Sequence, residues 1–159
     1  MSSDYFAKVK GADGESIKKG HTDEIEISSW GWAVANASSA GSGGGSGQGV
    51  ATPRDIRFTA DFSKATPNLI RMCAKGDHID EVKLTARKSA GGQEDYLLIT
   101  LTDAFVTGVE IGGSGGGDVA AQTTMSFKKF KIEFKTQDGK GALKPGTEFT
   151  WDVAKTDWS

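Results

Sequence analysis

This sequence predicts a mainly-β fold: an antiparallel β-barrel or two-sheet sandwich, with one short α-helix on its side and a long Gly-rich loop. Three observations predict it. Apolar and polar residues alternate in stretch after stretch, which is the period of a half-buried strand. Glycine supplies 22 of the 159 residues, about twice the usual share, and helix-rich folds tolerate that poorly. Only one segment carries both a start and a stop signal for a helix. The length fits a single domain over 1–159. Such a chain buries roughly two-thirds of its unfolded surface, enough for a core without metal or disulfide help.

The strands follow in order. Phe6 to Val9 is the first candidate. Ile25 and Ile27 begin the next, but the apolar parity then changes to Trp30 and Trp32. Either a bulge lies near Ser28-Ser29, or the chain passes there from one layer to another. Ile56, Phe58, Ala60 and Phe62 alternate with Arg57, Thr59 and Asp61. Val82, Leu84 and Ala86 alternate with Lys83, Thr85 and Arg87, and Leu97, Ile99 and Leu101 with Leu98, Thr100 and Thr102. Phe105 to Ile111 continues the pattern. Met125 and Phe127 sit on odd positions, whereas Phe130, Ile132 and Phe134 sit on even ones, so a bulge is expected near Lys128-Lys129. Phe149, Trp151 and Val153 close the series. Lys83, Arg87, Lys88, Glu133 and Lys135 are expected on solvated outer faces.

The helix runs from Thr66, the predicted N-cap, through Pro67 at the first helical position, to Gly76 at C′. Leu69, Met72 and Cys73, together with Ile70, form its apolar stripe, so Cys73 reads as a small core residue. Two glycine tracts punctuate the strands, at 35–49 and at 112–117. Both have linker composition. A loop as long as the first is uncommon inside a compact domain and is often functional.

Composition removes several function classes. The net charge of −2 argues against nucleic-acid binding, which leaves a basic footprint. A single cysteine, Cys73, excludes an internal disulfide and a multi-cysteine zinc site. No apolar run approaches the ~18 residues that a spanning helix needs, so no membrane insertion is expected. Met1-Ser2-Ser3-Asp4 has no basic n-region, and no apolar h-region follows, so no cleaved signal peptide is expected.

No catalytic constellation emerges. Gly112-Gly113-Ser114-Gly115-Gly116 fits the G-x-S-x-G pattern, but that motif needs a helix after it, and more glycine follows. Neither tract carries a nucleotide-binding glycine pattern. His21 and His78 are each followed by an acid three positions on, Glu24 and Glu81. On a strand such pairs point to opposite faces, so neither reads as a metal chelate. We expect no enzyme activity, no metal and no cofactor.

A family resemblance goes further. Gly14-Glu15-Ser16, His21, Glu24-Ile25-Glu26-Ile27 and Trp30-Gly31-Trp32 resemble the opening of the haemolysin-coregulated protein (Hcp) family. The Gly/Ser loop follows, as it does in that family. Asp55, Phe58-Thr59, Lys64, Thr66-Pro67-Asn68-Leu69, Cys73, Gly76 and His78 are similar to its strand-plus-helix block. Arg87-Lys88, Tyr96, the Leu97–Leu101 strand and the second glycine tract continue the likeness, which covers about 5–135. Gly31 departs from it, standing where a serine is common.

The resemblance implies a structural subunit of the type VI secretion tube. Six subunits would form a hollow ring, and rings would stack into a tube that is expelled with secretion tip and sheath proteins as partners. Small effector proteins would travel in the lumen. The subunit would reside in the bacterial cytoplasm before firing, then reach the extracellular space or a target cell. The implied lumen-facing residues are Ser29 and Gly31. The implied ring-stacking loop is Gly43, Gly44, Gly45, Ser46, Gly47, Gln48, Gly49 and Val50. The rival reading is a monomeric β-sandwich ligand-binding module of the carbohydrate type, with Trp30 and Trp32 as its stacking platform.

Overall fold

The computed structural model describes residues 2–37, 51–89, 93–137 and 142–159. Its strands are β1 (Ser3–Val9), β2 (Ile25–Ile27), β3 (Ser29–Gly31), β4 (Val34–Asn36), β5 (Ala51–Pro53) and β6 (Ile56–Asp61). After helix α1 (Ala65–Lys75) come β7 (His78–Lys88), β8 (Asp95–Gly112), β9 (Ala120–Gln137), β10 (Leu143–Asp152) and β11 (Asp157–Trp158). The mainly-β prediction with one short helix holds. The main sheet runs β11-β10-β9-β8-β7-β1-β2, and each neighbouring pair is antiparallel.

β9 is the spine. It pairs with β8 along its length, with β10 over its second half and with β6 over its first. β3 then pairs with β6. The chain leaves β2, paired to β1, and enters β3, paired to β6, within one residue. Ser28 makes that crossing, with its backbone N–H and its hydroxyl both donating to the Thr59 carbonyl at 2.8 and 2.9 Å. The parity change before Trp30 is therefore a change of partner strand. It brings both ends of the sheet path together, so the sheet is nearly closed into a barrel.

The core fills that barrel. Ala7, Ile25, Ile56, Phe58, Leu84, Ile99, Leu101, Met125 and Phe130 are among its buried members. Leu69 of α1 plugs into it, with Met72 and Cys73 packed at the margin. Cys73 is thus the half-buried packing residue that its stripe implied.

The helix start differs from the prediction by a few residues. α1 begins at Ala65, and Thr66 is buried. The cap comes from Ser63, whose hydroxyl accepts from the Ala65 N–H at 3.2 Å. Thr66 Oγ1 accepts the Ser63 N–H in return at 3.1 Å, the reciprocal logic of a capping box. At the other end Gly76 adopts φ +69° and its N–H returns to the helix, as a C′ glycine should.

The parity change in β9 has a wider cause than a local bulge. On β7 the buried positions go from Ile79 to Val82 and Leu84. On β8 they go from Ile99 and Leu101 to Ala104 and Val106. On β9 they go from Met125 to Phe130. The ladders skip Asp80, Asp103 and Lys128 at these points and resume in unchanged register. Asp103 takes φ +53° there. Matching irregularities on three neighbouring strands form one crease across the sheet. His78 clasps it, with Nε2 2.5 Å from Asp103 Oδ1 and Nδ1 3.4 Å from Asp80 Oδ1.

The first glycine tract starts on structure. Ala35 and Asn36 belong to β4, which pairs with β5 as a separate two-stranded ribbon. The predicted stacking residues Gly43 to Val50 lie outside the described residues. The second tract is the turn of the β8–β9 hairpin, bounded by the pair Gly112 and Ala120.

Candidate functional site

Two features invite a functional reading: a cluster of ionisable side chains under the 10–24 loop and the outer face of β3, β6, β9 and β8. The cluster is the more chemical in appearance. Phe6 is fully buried, and the His21 ring stacks on it with centroids 4.2 Å apart. The Arg87 guanidinium carbon stands 5.0 Å from the same ring centre. His21 Nδ1 is 3.0 Å from Glu24 Oε1, and Nε2 is 2.8 Å from Asp95 Oδ1. Arg87 donates to the Lys19 carbonyl and to Asp4.

Two sequence expectations are corrected here. His21 and Glu24 do meet, because they sit in a turn and not on a strand: the Glu24 N–H donates to the His21 carbonyl. Arg87 is not on a solvated face but 3% exposed, and Thr85 beside it is buried. The 10–24 loop folds over the outer side of β1 and β7, and alternation within β7 cannot reveal that lid. The charges pair with one another in a closed packing. Among the described residues no group of three or more His, Cys, Asp or Glu side chains is arranged to hold a metal ion.

His78 likewise takes Asp103 and Asp80 as partners in place of Glu81. Ser114 lies in a hairpin turn, where its carbonyl accepts the Gly117 N–H at 3.0 Å. A strand rather than a helix follows it, so the elbow geometry is missing. Trp30 and Trp32 pack against the core. Trp30 meets Tyr5 edge-on, and Trp32 stacks on Phe130 at 4.2 Å while its Nε1 donates to the Arg54 carbonyl at 2.8 Å. They do not form the open platform that the carbohydrate-type reading needs.

The outer face of β3–β6–β9–β8 is different in kind. Period-two geometry sends Trp30 and Phe58 inward and leaves Ser29, Gly31, Arg57 and Thr59 outward. Register then builds two rows across four strands. One is Ser29, Thr59, Gln122, Glu110; the other is Gly31, Arg57, Thr124, Gly108. Every member is polar or glycine. A bulge at Thr107 ends the second row, and Thr107 Oγ1 donates to Asp55 Oδ2 at 2.6 Å.

Arg57 is the feature of this face that sequence reading placed outward without seeing its role. It is cross-strand from Gly31. A Cβ on Gly31 would lie 3.0 Å from Arg57 Nη2 and 3.1 Å from Cζ. The guanidinium therefore rests over the backbone of residue 31. Alternation showed that Arg57 points out; only strand register shows what it covers.

These features define a class: a barrel-like β protein whose histidines and buried arginine brace the fold, and whose broad four-stranded outer face is small and polar. The chain belongs to the Hcp family, whose model, described as type VI secretion system effector, Hcp, matches residues 6–134. Its members are secreted tube proteins of that system. Protein hcp1 of Pseudomonas aeruginosa is 43% identical over 156 residues, covering 96% of this chain and 96% of that one. The crystal structure of Hcp1 from Salmonella typhimurium matches with a TM-score of 0.79 at 29% identity, over 100% of each chain. A type VI secretion system effector from Yersinia pestis gives 0.77 at 30%, over 94% of this chain and 100% of that one. A type six secretion system protein at 21% identity shares the fold at 0.93, over 99% of this chain and 100% of that one.

Proposed function

We propose that this chain is the repeating subunit of a type VI secretion tube: six copies close into a ring, rings stack, and the tube carries small effector proteins in its lumen. Family membership supports the reading. The observation that carries it is the outer face of β3–β6–β9–β8, with Ser29 and Gly31 at its β3 end. A channel wall for varied cargo must be wettable and free of sticky apolar patches, and these rows contain no apolar side chain. The closed ring would use heterologous contacts, one surface of each copy meeting a different surface of the next. Tip and sheath proteins are its partners, and the Gly43–Val50 tract, which joins β4 to β5 in sequence, serves contact between stacked rings. The subunit waits in the bacterial cytoplasm and leaves with the fired tube.

Light scattering behind size-exclusion chromatography tests the ring. Six copies are expected, and a monomer at micromolar concentration would overturn the reading. Gly31→Gln tests the wall: rings should persist while effector loading falls. A ring that fails to form with Gln at position 31 would place that position in an interface.

A further inference from the structure

We propose that Arg57 is the cargo-gripping group of the channel wall, and that position 31 is glycine because the Arg57 side chain lies across it. The partner is a passenger polypeptide that presents surface carboxylates. This inference rests on the reading of the β3–β6–β9–β8 face as the channel wall.

Four observations carry it. Arg57 is exposed and central to its row, between Gly31 and Thr124. It is the one cation in the two rows. Among the described residues its guanidinium has no hydrogen-bond or ion-pair partner, whereas Arg87, Lys10 and Lys18 find carboxylates. The acids of the same face lie elsewhere: Glu110 is in the other row, Asp61 is two alternations further along β6, and Asp55 is engaged by Thr107. The guanidinium thus lies over the β3 backbone at Gly31, its donors unclaimed by any described residue.

The chemistry follows from that placement. A guanidinium offers a planar fork of N–H donors that matches a carboxylate, and it remains charged at any physiological pH. A single exposed pair is weak. A closed ring repeats the same cation around one opening, and a passenger that touches several gains avidity without any new kind of contact. A side chain at position 31 would meet the guanidinium at its Cβ. It would lift Arg57 away from the wall and change grip and free space together. Gly31 and Arg57 therefore act as one unit.

The test uses the assembled protein and a fluorescein-labelled deca-glutamate peptide, followed by anisotropy at low salt. The wild type should bind it, and added salt should weaken binding. Arg57→Gln should weaken it by about fivefold or more, and Arg57→Lys should restore part of the loss. Gly31→Gln should also weaken binding although Arg57 is still present. Binding unchanged in both Arg57→Gln and Gly31→Gln overturns the proposal. Anisotropy reads the contact whether or not rings form, so it is separate from the assembly test. Gold-labelled peptide imaged on rings by electron microscopy separates the two readings further. Gold at the ring centre, lost in Arg57→Gln, supports both. Gold at the outer rim, lost in Arg57→Gln, overturns the channel placement while retaining the arginine contact.

Discussion

The His21 ring lies flat on Phe6, with centroids 4.2 Å apart and ring planes 1° apart. Around that stack the chain gathers parts that are distant in sequence: Glu24 and Asp95 on the imidazole, and Arg87 on the Phe6 ring. A loop that would otherwise hang on solvent is pinned to β1 and to the start of β8.

Removing the ring should therefore loosen the loop. His21→Ala deletes a buried stacked side chain and leaves Glu24 without its ring partner. The expected loss is about 2–4 kcal/mol, seen as a fall in Tm of about 5–12 °C. Thermal unfolding followed by circular dichroism at one protein concentration reads it. A fall below about 2 °C would mean that the loop is held by its backbone bonds alone.

Two glycines should respond unequally to the same substitution. A Cβ on Gly14 would lie 2.4 Å from the Glu24 carbonyl oxygen, which is backbone and cannot step aside. Gly14→Ala should cost about 2 kcal/mol or more through a displaced loop. At Gly31 the obstacle is the far end of a flexible arginine. Gly31→Ala should stay within about 0.5 kcal/mol. Equal Tm values for the two variants would contradict this placement of their neighbours.

The first glycine tract gives a third prediction. Replacing Gly43 to Gly47 with a two-residue turn removes no core residue. Ring formation and Tm should be nearly unchanged, while tube formation at high protein concentration and secretion should both fall. Electron microscopy and a secretion assay read the two effects. Normal tubes from the shortened chain would reduce the tract to a spacer.

The crease offers a pH-dependent handle. Lys10 Nζ stands 3.0 Å from Asp80 Oδ2 and holds that carboxyl below the usual carboxylate range, by its hydrogen bond first and its charge second. His78 adds a smaller pull in the same direction, and burial opposes it. A carboxyl lowered by folding favours the folded state above its ordinary titration range. That benefit is lost as pH falls through the lowered value. Lys10→Ala should return the Asp80 midpoint toward the ordinary range in a carbon-detected NMR titration. Stability at neutral pH should barely change, because both groups are exposed and screened. An unmoved midpoint would sever the link to Lys10.

Most of the long strands, the single helix with its glycine stop, and the family resemblance were legible in the sequence, whereas the short ribbon of β4 and β5 and the final β11 were not. Each legible feature is written locally, as alternation over a few residues, as a cap, or as an ordered set of motifs. The sequence also showed that β9 changes parity after Phe127, and that Arg57 points away from the core. That β7, β8 and β9 all reverse parity along one line through Asp80, Asp103 and Lys128 emerges from the strand pairing alone. Each reversal is local, but their alignment depends on register between strands far apart in the chain. The same limit hid the burial of Arg87, because the covering loop comes from a different stretch of sequence. It hid the contact between Arg57 and Gly31 as well. Period two tells which side of a sheet a residue faces, whereas cross-strand pairing, fixed by the closure of the whole barrel, tells what it faces there.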